Sequence, residues 1–226
     1  MTLDKQTIYY LLALLGGTLP ALFWLWFWLR EDKEHPEPHG LLLISFIAGM
    51  AAVPLTLPFE APAYAGLPQT GLLLWLAIAS TEEILKYGAA RVTALAAKAF
   101  DEPIDAIIYM LTIALGFSAA ENGLFIFKHL SDGVAVSDSI INSNFRFIGA
   151  SLLHMVSSAT IGTFIAFSFY KSKIKKFLYL VFGLTSAILI HTSFNFFIME
   201  SLKEIYPALV LLINIPLFLW IAKKIF

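Results

Sequence analysis

The chain has 226 residues, 59% of them hydrophobic and 14% charged, where soluble domains carry roughly 45–50% apolar and about 25% charged residues. With a mean hydropathy of +0.79, this composition excludes a soluble domain and puts the chain in the lipid bilayer. A net charge of −1 leaves no basic face for a nucleic-acid partner, and the lack of cysteine excludes disulfides, thiolate metal sites and thiol nucleophiles.

A membrane-crossing helix needs about 20 apolar residues. In chain order the candidates are 8–29, 41–59, 70–95, 104–127, 145–169, 177–199 and 208–222. The first is too long for a signal-peptide core, and no small-residue cleavage site precedes REDKEHPEP, so it reads as a retained span. The last is short. The connectors HPEPHG, EAPAYAGLPQ, KAFDEP, SDGVAVSDSIINSN, YKSKIKK and ESLKEIYP carry turn chemistry. No internal repeat or separate soluble segment interrupts them. The expected fold is all-α, a polytopic transmembrane helical bundle of about seven spans, with residues 1–226 forming one domain.

Basic residues set the expected orientation. Arg30, Lys33, Arg91, Lys98, the lysines of YKSKIKK, Lys223 and Lys224 would lie on one side, against Lys5, Lys128, Arg146 and Lys203 on the other. By the positive-inside rule the N-terminus faces outward and the C-terminus the cytoplasm, as expected of a multi-pass protein of the cell membrane.

Polar residues inside the spans carry the functional signal. The stretch STEEILKYGAA places Glu82, Glu83 and Lys86 within span 3, where each charge costs about 2.5–3.5 kcal/mol to insert. Glu82 and Lys86 are four apart and can pair, whereas Glu83 points about 100° away and is expected to lack that local partner. Span 4 adds Glu121 and Asn122, span 5 His154 after Arg146, and span 6 His191 and Asn195. Measured from the outer side at 1.5 Å per residue, Glu121 lies about 9 Å deep, His191 about 12 Å, His154 about 14 Å and Glu82 about 18 Å. Spans running in opposite directions have no reason to agree in depth unless these residues form one site. Asn122 and Asn195 read as supports rather than reactive groups. Asp105 reads as a helix cap, and His35 and His39, among prolines, as a solvated turn. Trp24, Trp26 and Trp28 read as interface anchors.

Three carboxylates and two imidazoles can position and deprotonate a water. Alternatively Glu121, His154 and His191 can hold a zinc ion with an open position, leaving Glu82 or Glu83 as base. The residues leave both versions open. The chain has no HExxH and no GxGD, GFSA at 116–119 misses the GxSG of a serine protease, and residues 208–222 hold no lysine for a retinal Schiff base.

The ordered set EEILK at 82–86, FSAAEN at 117–122, Arg146 with His154, and HTSFN at 191–195 resembles the PrsW family of intramembrane proteases, which is related to the CAAX prenyl endopeptidases and Abi proteins. The likeness covers spans 3 to 6, about residues 70–199. Lys86 and Glu121 stand where the wider superfamily carries arginine and histidine. The resemblance implies that Glu82 and Glu83 are a catalytic pair and that His191 is a catalytic or oxyanion residue. His154, Glu121 and Asn195 would complete the site, with Lys86, Asn122 and Arg146 in supporting or substrate-contacting roles. It implies cleavage of single-span membrane proteins, typified by anti-sigma factors, on the extracytoplasmic side. The alternative is an ion- or proton-coupled carrier, since intramembrane Glu, His and Lys also build proton relays. Against it, the sequence lacks the repeated halves common in transporters.

Overall fold

The computed structural model describes residues 4–30, 35–69, 71–136, 138 and 147–201. Helix α1 (Lys5–Leu29) starts at Asp4, whose carboxylate accepts the Thr7 backbone N–H at 2.9 Å and the Thr7 hydroxyl at 2.7 Å. Helix α2 (His39–Gly66) follows Pro38 and runs through Pro54, Pro58 and Pro62. A membrane helix tolerates internal proline because neighbouring groups re-satisfy the freed carbonyls. The span therefore continues past residue 59, into what the sequence suggests is a connector.

Helix α3 (Leu72–Val92) leads through a 3₁₀ turn at Ala94–Ala96 to α4 (Asp105–Ser131). Asp105 is buried, but it does not cap α4. Its carboxylate instead accepts the backbone N–H groups of Asp101 and Glu102 at 2.9 and 2.8 Å, fixing the incoming turn. Glycine closes α4: Gly133 takes φ +86° and donates to the Leu130 carbonyl, while Val134 donates to His129. A π-helical turn, Phe147–Ser151, opens α5 (Leu152–Ser168), and α6 (Lys173–Ser201) completes the described bundle.

Among the described residues, five helices are long and apolar enough to cross a membrane: α1, α2, α4, α5 with its preceding residues, and α6. The expected all-α membrane bundle is what forms. Helix α3 is not among the five, because Glu82, Glu83 and Lys86 interrupt its apolar run; it packs against α2, α4, α5 and α6. The seventh candidate span, 208–222, lies outside the described residues, as does Arg146.

The centre of the bundle is α4, which α1, α2 and α5 pack against. Glycines permit the closest crossings: a Cβ on Gly49 would collide with the Ile113 carbonyl oxygen, and one on Gly116 with that of Phe46. Small residues let membrane helices approach until dispersion contacts hold them, where lipid supplies no hydrophobic drive. This crossing seats Ala52 and Val53 of α2 on Phe117 of α4, with Leu85 of α3 against the same cluster.

At the α1–α2 end, the expected solvated turn is only partly so. His35 is exposed and pairs with Glu102 at 2.6 Å, but Glu37 is buried and accepts a hydrogen bond from the Tyr109 hydroxyl.

Candidate functional site

Four helices bring the intramembrane ionisable groups into one cluster. From α3, Glu83 and Lys86 are completely buried and Glu82 nearly so. Lys86 Nζ donates to Glu83 Oε1 at 2.8 Å and more weakly to Glu82 Oε2 at 3.4 Å. The local pairing thus runs the other way from the sequence reading: Glu83 holds the closer bond to the lysine. Positions i, i+3 share a helix face as i, i+4 do, and the long lysine chain leans toward the nearer carboxylate.

Glu83 has further partners. Its Oε1 also accepts from the Ser157 hydroxyl at 2.9 Å and lies 2.8 Å from His191 Nδ1; its Oε2 accepts from Ser158 at 3.4 Å. A buried carboxylate with this many donors is stabilised as the anion and held still. Ser157 and Ser158 were not singled out from sequence. The available signal is their spacing, three and four residues after His154, which puts both on its helix face.

The histidines are oriented from behind. Glu83 Oε1 accepts a hydrogen bond from the Nδ1–H of His191, so Nε2 presents its lone pair, 3.8 Å from Glu82 Oε2. Glu121 Oε2 lies 2.9 Å from His154 Nε2, so Nδ1 is the acceptor nitrogen; it sits 3.8 Å from the same Glu82 oxygen and is occupied by Lys86, which donates to it at 2.8 Å. These tautomers follow from the hydrogen-bond network. The two rings meet edge to face at 5.2 Å, and Phe117 covers Lys86 Nζ at 4.3 Å. The cation–π contact gives a fully buried ammonium a partner that is not an acid.

One oxygen of Glu82 and one nitrogen from each histidine lie within 4.8 Å of one another. That donor set suits zinc once Lys86 releases His154 Nδ1, a His₂Glu combination whose two histidines are each backed by a carboxylate. It differs from the expected trio: the structure groups Glu82, rather than Glu121, with His154 and His191. Glu121 stands behind His154 and is the more exposed acid, at 29% of its side chain.

The π turn and α4 share a second polar network. Ser118 and Ser151 hydroxyls meet at 2.6 Å, and Asn122 Nδ2 donates to both at 3.1 Å. Asn122 thus ties α4 to the turn that delivers His154, and among the described residues its hydrogen bonds go to these serines and not to the cluster. Asn195 is half-buried on α6, one turn beyond His191.

The family model described as PrsW family intramembrane metalloprotease matches residues 37–221. The chain belongs to the PrsW family. Among curated PrsW proteins, the Protease PrsW of Clostridioides difficile is 32% identical over 127 residues, covering 54% of this chain and 49% of that protein. The Protease PrsW of Geobacillus kaustophilus is 26% identical over 160 residues, 70% of this chain and 65% of that protein. The chain thus matches about half and just under two thirds of these PrsW relatives. No solved structure matches it.

Proposed function

We propose that the protein is an intramembrane endopeptidase that cleaves single-span membrane proteins, of the anti-sigma-factor kind, near the extracytoplasmic face of the cell membrane. The observation that carries this reading is the convergence of Glu82 Oε2, His154 Nδ1 and His191 Nε2 in a buried cluster of a membrane bundle. The membership of the PrsW family and the distribution of lysine and arginine support the activity and the orientation.

The residues divide the work by their partners. Glu82 makes the weaker contacts, all through Oε2, so its carboxylate is the one available to the reacting water. Its Oε1 takes the proton of that water as the oxygen attacks the scissile carbonyl, then returns it to the leaving nitrogen. Glu83 anchors Lys86 and His191, and Glu121 anchors His154. Lys86 offsets the acids' mutual repulsion. The imidazole nitrogens turned toward Glu82 are acceptors, so they orient the reacting water by accepting its O–H, while the Lys86 ammonium is the positive charge nearest the developing oxyanion.

Glu82, His154 and His191 would also hold a zinc ion, which when bound supplies Lewis acidity and a more acidic water. The decisive experiment incubates purified protein with a single-span substrate: cleavage by the wild type and none by Glu82→Gln supports the reading. Ion-dependent transport in vesicles without cleavage would replace it with the carrier.

A further inference from the structure

Glu60 is the acidic side chain of the outer half of α2; it engages Thr56 one turn earlier on its own helix and makes no direct bond to the cluster. Its Oε1 is buried yet has no hydrogen-bond partner among the described residues. A buried unsatisfied acceptor costs about 1–3 kcal/mol, and in hydrocarbon several. Such an atom calls for a function.

Its place on the helix is defined by its neighbours. Val53, two turns before Glu60 on nearly the same face, packs on Phe117 and Leu85; Ala63, three residues after, packs with Trp75 and Phe196. Phe117 in turn covers Lys86, and Trp75 lies two turns outward from Glu82 on α3. Interpolating between these contacts puts Glu60 about one turn, roughly 5 Å, outward of Glu82. Lys86, His191 and Glu121 act on it electrostatically. Unlike Glu83 it is only half-buried, so a turn of its side chain is enough to bring Oε1 to the bundle surface.

A transmembrane helix must unwind before water can attack one of its peptides, and unwinding exposes backbone N–H groups that find no acceptor in lipid. We propose that Glu60 is a substrate-positioning residue whose Oε1 accepts a backbone N–H of the unwound substrate segment, beside the scissile peptide. This rests on the endopeptidase reading, but it is tested by binding rather than by cleavage.

The test uses the full chain carrying Glu82→Gln, in detergent micelles, with a synthetic single-span peptide bearing a Gly-Pro pair in its outer third. Adding Glu60→Met should weaken binding about tenfold or more, the worth of a hydrogen bond to a charged group. Glu60→Gln, which keeps a carbonyl acceptor, should stay within about threefold of the parent. Ester replacement of single amides along the peptide should reproduce the loss at one position, and should add nothing in the Glu60→Met protein. In the otherwise wild-type enzyme, Glu60→Met should raise KM and spread the cleavage positions seen by mass spectrometry, with kcat little changed. Unaltered peptide binding by Glu60→Met, or equal ester effects with and without Glu60, overturns the proposal. A wild type that binds the peptide through Glu60 but never cleaves it overturns the endopeptidase reading alone.

Discussion

His191 Nδ1 and Glu83 Oε1, 108 positions apart in the chain, lie 2.8 Å from each other inside the bundle. This contact fixes which imidazole nitrogen faces Glu82, and on the reading proposed above Glu83 is a strut for the site and Glu82 its base.

Glu83→Gln should therefore abolish cleavage and also destabilise the protein. It removes the charge that Lys86, Ser157 and His191 all address, and losing one side of a buried pair costs about 3–5 kcal/mol. Glu82→Gln, with one 3.4 Å contact to Lys86, should be equally inactive but melt close to wild type. Thermal unfolding in detergent separates the two; equal melting temperatures would contradict the division of roles.

Lys86→Ala leaves the cluster's acids with no ammonium among them, so both stability and activity should fall. Lys86→Arg should recover part of the stability, because the guanidinium keeps the charge, but the Phe117 contact at 4.3 Å and the reach to His154 will not be matched. A Lys86→Ala protein that unfolds like wild type would refute the ion-pair account.

Zinc, measured by elemental analysis of protein purified without added metal, should be lost in Glu82→Gln, His154→Ala and His191→Ala. Glu121→Gln should retain the site with affinity reduced about 10–100-fold, as expected of a residue that orients a ligand. The reverse ranking, with Glu121 essential and Glu82 dispensable for binding, would restore the trio expected from sequence.

Gly49→Leu should disrupt the α2–α4 crossing, since a Cβ there already meets the Ile113 carbonyl. Overpacking costs about 1–3 kcal/mol where side chains can yield, and here backbone is the obstacle, so the cost belongs at or above that range. Activity should drop with stability, as Val53 and Phe117 separate. A lower unfolding temperature with intact cleavage would show that α2 is not needed to shape the pocket.

The membrane bundle was legible because insertion energetics leave a strong imprint on composition. The residues that meet in the cluster were legible for the same reason: a charge in a span is costly enough to need a partner. Their pairing was not. A helical wheel places Cβ atoms, whereas Lys86 chooses between Glu82 and Glu83 with four methylenes of reach. The serines that hold Glu83 were hidden because a hydroxyl in a membrane helix is unremarkable by itself. Glu60 was hidden by Pro54, Pro58 and Pro62, which read as the end of a span in a sequence and as ordinary members of α2 in the fold.

Helix α3 leaves the ribosome before the chain has made α4, α5 or α6, and so before His154, Ser157, Ser158 and His191 exist to receive its charges. Its own Lys86–Glu83 and Lys86–Glu82 pairs are the sole compensation at that moment, and they leave net negative charge unmatched. The segment is thus a poor candidate for release into lipid alone, and we expect it to be held at the insertion machinery until α4 to α6 arrive. Assembly of the pocket and completion of membrane insertion are then a single event. Variants that remove a distant partner such as His191 should accumulate less protein in the membrane, even where the altered residue is itself cheap to insert.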